Sequence, residues 1–227
     1  MKTADASTSV VTKSVVIPVG DAQLTGALCI PAETSGVVLF VNGTCGSCAR
    51  TQYVARILNE ARIGTLLFDP SGDFDEPREK SAIQWPCDTE FLAERVIIAT
   101  KWIGRTNIPA GCQRVGYFAF ENAAGGALTA AATLGSHVGA IVCYDGRAAP
   151  PDASLATIEA PTLLIVGEND DSLLKANRRI LGALECEKKL SFVSSARKLV
   201  DEASLLQDVA WLAAEWFLIH LQLHPGH

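Results

Sequence analysis

The stretch Arg114–Thr133, RVGYFAFENAAGGALTAAAT, decides the fold. Arg114–Phe120 is a short continuous apolar run of the kind that forms a buried strand, and Asn122–Thr133 is a small-residue segment that reads as a helix. Glu121 falls at the sharp turn between them. This is the layout of a nucleophile elbow, whose usual pattern G-x-S-x-G reflects a strained strand-to-helix turn with room only for small residues two positions before and after the nucleophile. Here those positions are Ala119 and Ala123, so the steric rule holds while the nucleophile itself is a glutamate. Moving the register by one residue would flank Asn122 with Phe120 and Ala124, and Phe is too large. Glu121 is therefore assigned to the elbow.

Outward from this segment the pattern alternates. Two strands over Ser14–Pro18 and Leu24–Ile30 are joined through Gly20-Asp21 as a hairpin. Strands follow at Gly36–Asn42, Thr65–Asp69, Arg114–Phe120, Ala140–Tyr144, Thr162–Val166 and Lys189–Val193. Helices are expected near Arg50–Ala61, Thr89–Ile103, Asn122–Thr133, Ser172–Leu184 and Ala203–Leu221, with at most a short one in the Pro-rich AAPPDA connection. Apolar strands alternating with amphipathic helices specify a mostly parallel sheet covered on both faces. Ligands of such sheets bind beyond the carboxyl ends of the strands. The 227 residues read as one α/β domain over 1–227, with residues 1–12 a flexible tail and 222–227 a C-terminal tail.

Composition narrows the partners. A net charge of −6 without a concentrated Lys/Arg run argues against nucleic acid or an anionic membrane and favours a small-molecule ligand. No apolar run approaches the length of a membrane span, and MKTADASTSVV has no signal-peptide core, so a cytoplasmic location is expected. Seven cysteines, an odd number mostly in apolar contexts, fit a reducing compartment. Cys45 and Cys48 form a C-x-x-C, but no second pair or nearby His completes a metal tetrad. We therefore expect no metal and no cofactor. The sequence is compatible with a homodimer.

The order of elements, the segment VGYFAFENAAGGAL, the loop beginning VNG, QYVARILNEARIGTLLFD, APTLLIVGEND and the closing amphipathic helix together resemble the small α/β-hydrolases of the dienelactone hydrolase type. The likeness runs from about Ser14 to Leu221. It implies an α/β-hydrolase fold with about eight strands and helices on both faces. It also implies a triad in which the family's serine falls on Glu121 and its acid on Asp170, with its histidine in SSARKLVDE. That segment holds no histidine, and by spacing Lys198, next to Arg197, takes its place. The family's oxyanion loop falls on Asn42, Gly43 and Thr44, and Asn122 follows the elbow. His137 precedes the sixth strand, at the far end of the sheet, and His220, His224 and His227 lie at the C-terminal end, so none restores the triad.

A carboxylate cannot replace serine in acyl transfer, because its attack on an ester gives an anhydride and no imidazole relays the proton. Glu121 at a helix start is instead expected to share the rim with Asp69, Tyr144, Asp145 and Asp170, while Trp85 in SAIQWPCD is the aromatic best placed to touch a ligand. Carboxylates crowded together, with Lys198 nearby, are pushed apart in pKa, as general acids and bases require. Three readings follow. Glu121 is a base or cation stabiliser in a non-hydrolytic reaction of isomerase, lyase or cyclase type. Alternatively, a Glu121–Lys198 ion pair fills a catalytically inactive pseudo-hydrolase that binds a ligand or acts as a scaffold. Residual hydrolysis through Cys45 or Cys48 is the third.

Overall fold

The computed structural model describes residues 11–42, 48–72, 88–106, 114–167, 170–193 and 202–222. Eight strands form one sheet: β1 (Val11–Val19), β2 (Ala22–Ile30), β3 (Val37–Val41), β4 (Gly64–Phe68), β5 (Val115–Phe120), β6 (Val138–Tyr144), β7 (Thr162–Gly167) and β8 (Lys188–Val193). Their order is β1-β2-β4-β3-β5-β6-β7-β8, with β1–β2 and β2–β4 antiparallel and every other pair parallel. The helices are α1 (Ala49–Glu60), α2 (Thr89–Arg105), α3 (Ala124–Leu134), α4 (Asp152–Leu155), α5 (Asp171–Ala183) and α6 (Glu202–Leu221). The expected fold class is the one found. At the N-terminal end Val11 and Thr12 belong to β1, paired to Ile30 and Cys29, so these two residues are strand and not tail.

The central strands are apolar throughout because each face of the sheet is covered. On β5, Val115, Tyr117 and Ala119 enter the core beneath α2 and α3, while Phe118 and Phe120 enter the core beneath α1 and α6. The same alternation continues on β6, where Cys143 faces the first layer and Tyr144 the second. Period-two side-chain direction and burial on both sides together remove the polar positions that a one-sided strand would show.

Small residues set how closely the layers approach. A Cβ on Gly126 of α3 would lie 2.8 Å from Leu92 of α2, and one on Gly116 of β5 would lie 2.8 Å from the Phe217 ring of α6. The AAGGA run therefore reflects close helix packing behind the turn that carries Glu121. Within this layer Thr100 and Tyr117, both buried, share a 2.7 Å hydrogen bond between hydroxyls.

Candidate functional site

β5 ends at Phe120, and the chain turns through a single 3₁₀ turn, Glu121–Ala123, before α3 begins at Ala124. The helix thus starts as 3₁₀ where a continuous α-helix from Asn122 was expected. Glu121 has φ +49°, a left-handed conformation that costs a non-glycine residue on the order of 1–3 kcal/mol and is characteristic of strained functional turns. Ala119 and Ala123 flank it and are buried.

The partner of the Glu121 carboxylate is Arg50. Its Nη1 donates to Oε1 at 3.2 Å, and its guanidinium lies 5.4 Å from the centroid of the Phe120 ring. Arg50 was missed by sequence reasoning, although one signal was present. It sits in the first turn of α1, which carries no acidic residue, and there a cation is opposed by the helix dipole. Such a residue needs an anion from elsewhere in the fold. Lys198, expected in that role, lies outside the described residues, as do Arg197, Trp85, Gly43, Thr44 and Cys45.

Asp170 is the N-cap of α5. Its Oδ1 accepts from the Leu173 amide at 3.0 Å and the Ser172 hydroxyl at 2.6 Å, while Oδ2 accepts from Arg147 at 3.3 Å. The Ser172 hydroxyl first, then the Leu173 amide and the Arg147 guanidinium, hold its carboxyl down to about 2. Asp145 behaves in the opposite way. Half-buried, it is pushed above the ordinary carboxylate range by desolvation and by Glu121, against the Gly167 amide, Arg147 and the Tyr144 hydroxyl, which pull it down. Burial, together with the Asp145 charge, raises its neighbour Tyr144 to about 12. Two carboxylates at one end of the sheet are therefore driven apart in acidity.

The remaining expected residues divide. Asn42, directly after β3, donates through Nδ2 to Thr51 Oγ1 at 3.2 Å and to Cys48 Sγ at 3.6 Å, tying the β3 loop to the start of α1. Asn122 lies within the 3₁₀ turn. Asp69 follows β4 and accepts from the Ser71 amide at 2.9 Å and the Ser71 hydroxyl at 2.5 Å, a local turn. His137 caps the short turn before β6, its Nδ1 2.9 Å from Leu134 O, and His220 lies 3.7 Å from Glu187. Neither belongs to the elbow cluster. Cys48 is a free thiol 3.0 Å from Thr51 Oγ1. Burial raises its pKa, but the Thr51 hydroxyl, the first-turn amides and the Arg50 charge more than offset this, leaving it below the ordinary thiol value.

Among the described residues no group of three or more His, Cys, Asp or Glu is placed to hold a metal ion, and no helix is long and apolar enough to cross a membrane. An open groove of about 590 Å³ runs along α1 between Gln52 and Glu60 and over β1, β2 and β4. Its floor is Ala27, Cys29, Ala55 and Leu67, and Arg56 and Glu60 of α1 form an ion pair at its edge. It lies apart from the elbow and has no comparable collection of ionisable groups, so the chemistry is read from the elbow.

The strained turn after β5, the acidic cap after β7 and the mixed sheet order define an α/β-hydrolase-fold protein. The crystal structure of dienelactone hydrolase from Anabaena variabilis ATCC 29413 is 34% identical, with TM-score 0.84, covering 94% of this chain and 99% of that one. The chain belongs to the dienelactone hydrolase family. A dienelactone hydrolase-like promiscuous phosphotriesterase from metagenomic libraries shares the fold at TM-score 0.73 and 18% identity, covering 93% of this chain and 98% of that one. Two curated proteins of Mycobacterium tuberculosis, from strains CDC 1551 and H37Rv, carry a provisional phosphoribosyl transferase name. They are 36% identical over 211 residues, 92% of this chain. The chain spans about half the length of these relatives, 46%. No protein-family model matches the chain.

Proposed function

We propose that this chain does not hydrolyse esters but carries out non-hydrolytic acid–base chemistry, of isomerase, lyase or cyclase type, on a small carbonyl-containing metabolite. In this reading Glu121 stands where the family's serine stands and Lys198 where its histidine stands. The observation that carries it is the Arg50–Glu121 contact: the elbow presents an ion-paired carboxylate where acyl transfer needs a hydroxyl. The divergent environments of Asp145 and Asp170 add the acid and base that such chemistry uses. Glu121 serves as base or as the charge that stabilises a cationic intermediate.

A second reading, an inactive pseudo-hydrolase that binds a ligand or acts as a scaffold, is favoured by one observation. The residues at the family's nucleophile and acid positions are both ion-paired, Glu121 to Arg50 and Asp170 to Arg147. In either reading we assign the phosphoribosyl transfer named for the Mycobacterium relatives to the part of those proteins that this chain does not span.

One variant separates the two. Glu121→Gln keeps the shape of the side chain and removes its charge. Under the first reading it lowers turnover of a carbonyl substrate, found by screening for isomerisation or solvent-deuterium exchange, by about 10²–10⁴. Under the second, ligand binding is nearly unchanged and stability shifts by about 0–1 kcal/mol. Turnover unchanged by Glu121→Gln refutes the catalytic role.

A further inference from the structure

We propose that the groove along α1 is a small-molecule binding site, distinct from the elbow, for an uncharged, elongated and mainly apolar molecule with an oxygen acceptor at one end. It does not rest on the acid–base reading above.

Three small residues make the groove. In the antiparallel pairs of β2, Cys29 stands between Thr12 of β1 and Thr65 of β4, and in the next row of the same face Ala27 stands beside Leu67. Ala55 joins them from α1. Leu or Ile at these three positions would close the space between helix and sheet, whereas Ala, Cys and Ala leave about 590 Å³ open. That is the size of ordinary ligand pockets. Along α1 the groove runs from Gln52 to Glu60, about 12 Å of helix, so the shape it accepts is elongated. An apolar floor left to water forgoes the burial that larger side chains would gain, and an apolar ligand restores it.

The polar groups that line the groove set the ligand's oxygen and its charge. Thr65 is fully buried, and its Oγ1 donates to Asn59 Oδ1 at 3.2 Å. This bond turns Asn59 Nδ2 away from Thr65, and among the described residues no acceptor meets it. A carbonyl oxygen on the ligand supplies one. At the rim, Arg56 donates to Glu60 at 3.3 Å and lies 5.3 Å from the centroid of the Tyr53 ring. The cation and the anion there already offset each other, so an ionised ligand head gains little.

The surroundings favour a small molecule over a protein. β1 is an edge strand, and it carries Lys13 and Pro18, both exposed, which oppose the addition of a further strand. Among the described residues the exposed large apolar side chains are Val16, Phe192, Trp211 and Ile219, and of these only Val16 is on a strand that borders the groove. A protein interface centres on a broader apolar patch with aromatic anchors.

Amide NMR spectra of the full chain, titrated with straight-chain methyl ketones from hexanone to decanone, test the site. Shifts should concentrate in Gln52–Glu60, Ala27–Cys29 and Thr65–Leu67, and binding should strengthen by up to about fourfold per added CH₂. Ala27→Phe, which fills the floor, should weaken decanone binding at least about tenfold, the worth of one or two buried CH₂ groups. If Ala27→Phe does not fold, Thr12→Trp on the exposed rim replaces it. Asn59→Ala should weaken ketone binding by about two- to tenfold, the worth of one hydrogen bond. Octanoate should bind more weakly than nonanone. No shift with any ketone, shifts centred on the elbow, or binding undiminished by the filling variant overturns the proposal. Tighter binding of octanoate overturns the uncharged class. Groove resonances that move on dilution without any ketone mean that a second copy covers this face, which overturns it as well.

Discussion

The Arg50 guanidinium donates to Glu121 across 71 residues of sequence, joining the first turn of α1 to the turn after β5. Each side chain stands where an opposite charge is favourable. Arg50 opposes the dipole of its own helix, and Glu121 projects from a strained backbone toward solvent. The two side chains are 40% and 51% exposed, so water and salt screen the contact. Arg50→Ala should therefore change unfolding free energy by no more than about 1 kcal/mol, and less as salt rises. A loss well beyond this in chemical denaturation would mean that the pair is a structural clamp.

The proposed reading, with Glu121 in the place of the family's serine, predicts silence toward serine-hydrolase chemistry. The wild-type chain should show no stoichiometric labelling by serine-directed probes and should hydrolyse activated aryl esters no faster than a generic protein surface. Glu121→Ser with Lys198→His installs the pattern that the resemblance implies and, on the proposed reading, should yield weak esterase activity, measurable by release of the aryl group. Labelling of any serine in the wild-type protein would contradict the assignment of Glu121 to the elbow.

Cys48 should be alkylated by iodoacetamide at neutral pH ahead of Cys29, Cys143 and Cys186. Its thiolate is favoured by Thr51, the first-turn amides of α1 and Arg50, whereas burial pushes Cys143 to about 12 and also raises Cys186. Removing the nearby charge with Arg50→Ala should slow the alkylation of Cys48. Site-resolved mass spectrometry reads both effects, and equal rates for Cys48 and Cys143 would contradict the environment described.

The Asp170 cap makes stability depend on acidity in one direction. Its folded pKa is depressed to about 2, below the value of about 3.9 expected of an unfolded chain. Its contribution is therefore complete above about pH 4 and is lost as the pH falls through about 2. The melting-temperature difference between wild type and Asp170→Asn should be largest near neutrality and shrink toward pH 2. A difference that stays constant across this range would show that the carboxylate charge is irrelevant to the cap.

Thr100 and Tyr117 predict an asymmetric pair of core substitutions. Thr100 donates to Val96 O at 2.8 Å and so accepts from the Tyr117 hydroxyl. Tyr117→Phe removes a donor whose acceptor keeps another bond, at about 1 kcal/mol. Thr100→Val strands the buried Tyr117 hydroxyl and should cost more, about 1–3 kcal/mol. Urea denaturation gives the order, and a reversed order would contradict this account.

Much of the fold was legible along the chain. Strand and helix boundaries came within a few residues because period-two and helical patterns are local and repeat within a segment. The turn at Glu121 was legible for the same kind of reason, since the size rule on Ala119, Phe120, Ala123 and Ala124 is local; its φ of +49° is a feature only the structure supplies. The 3₁₀ start of α3 was not anticipated, because composition alone does not separate a tight first turn from an α-helical one.

The absence of a serine and a histidine at the expected positions, and hence which chemistry to doubt, was determined by sequence alone. What Glu121 pairs with was decided by tertiary structure. The strand order sets β3 beside β5, and that brings the helix after β3, with Arg50, against the turn after β5. The opposed acidities of Asp145 and Asp170 arise the same way: one carboxylate is partly buried between β6 and β7, and the other meets a helix start and Arg147. A side chain's charge is written in the sequence, but its solvent exposure and its nearest opposite charge depend on which loops converge at the carboxyl end of the sheet. No spacing along the chain encodes that convergence.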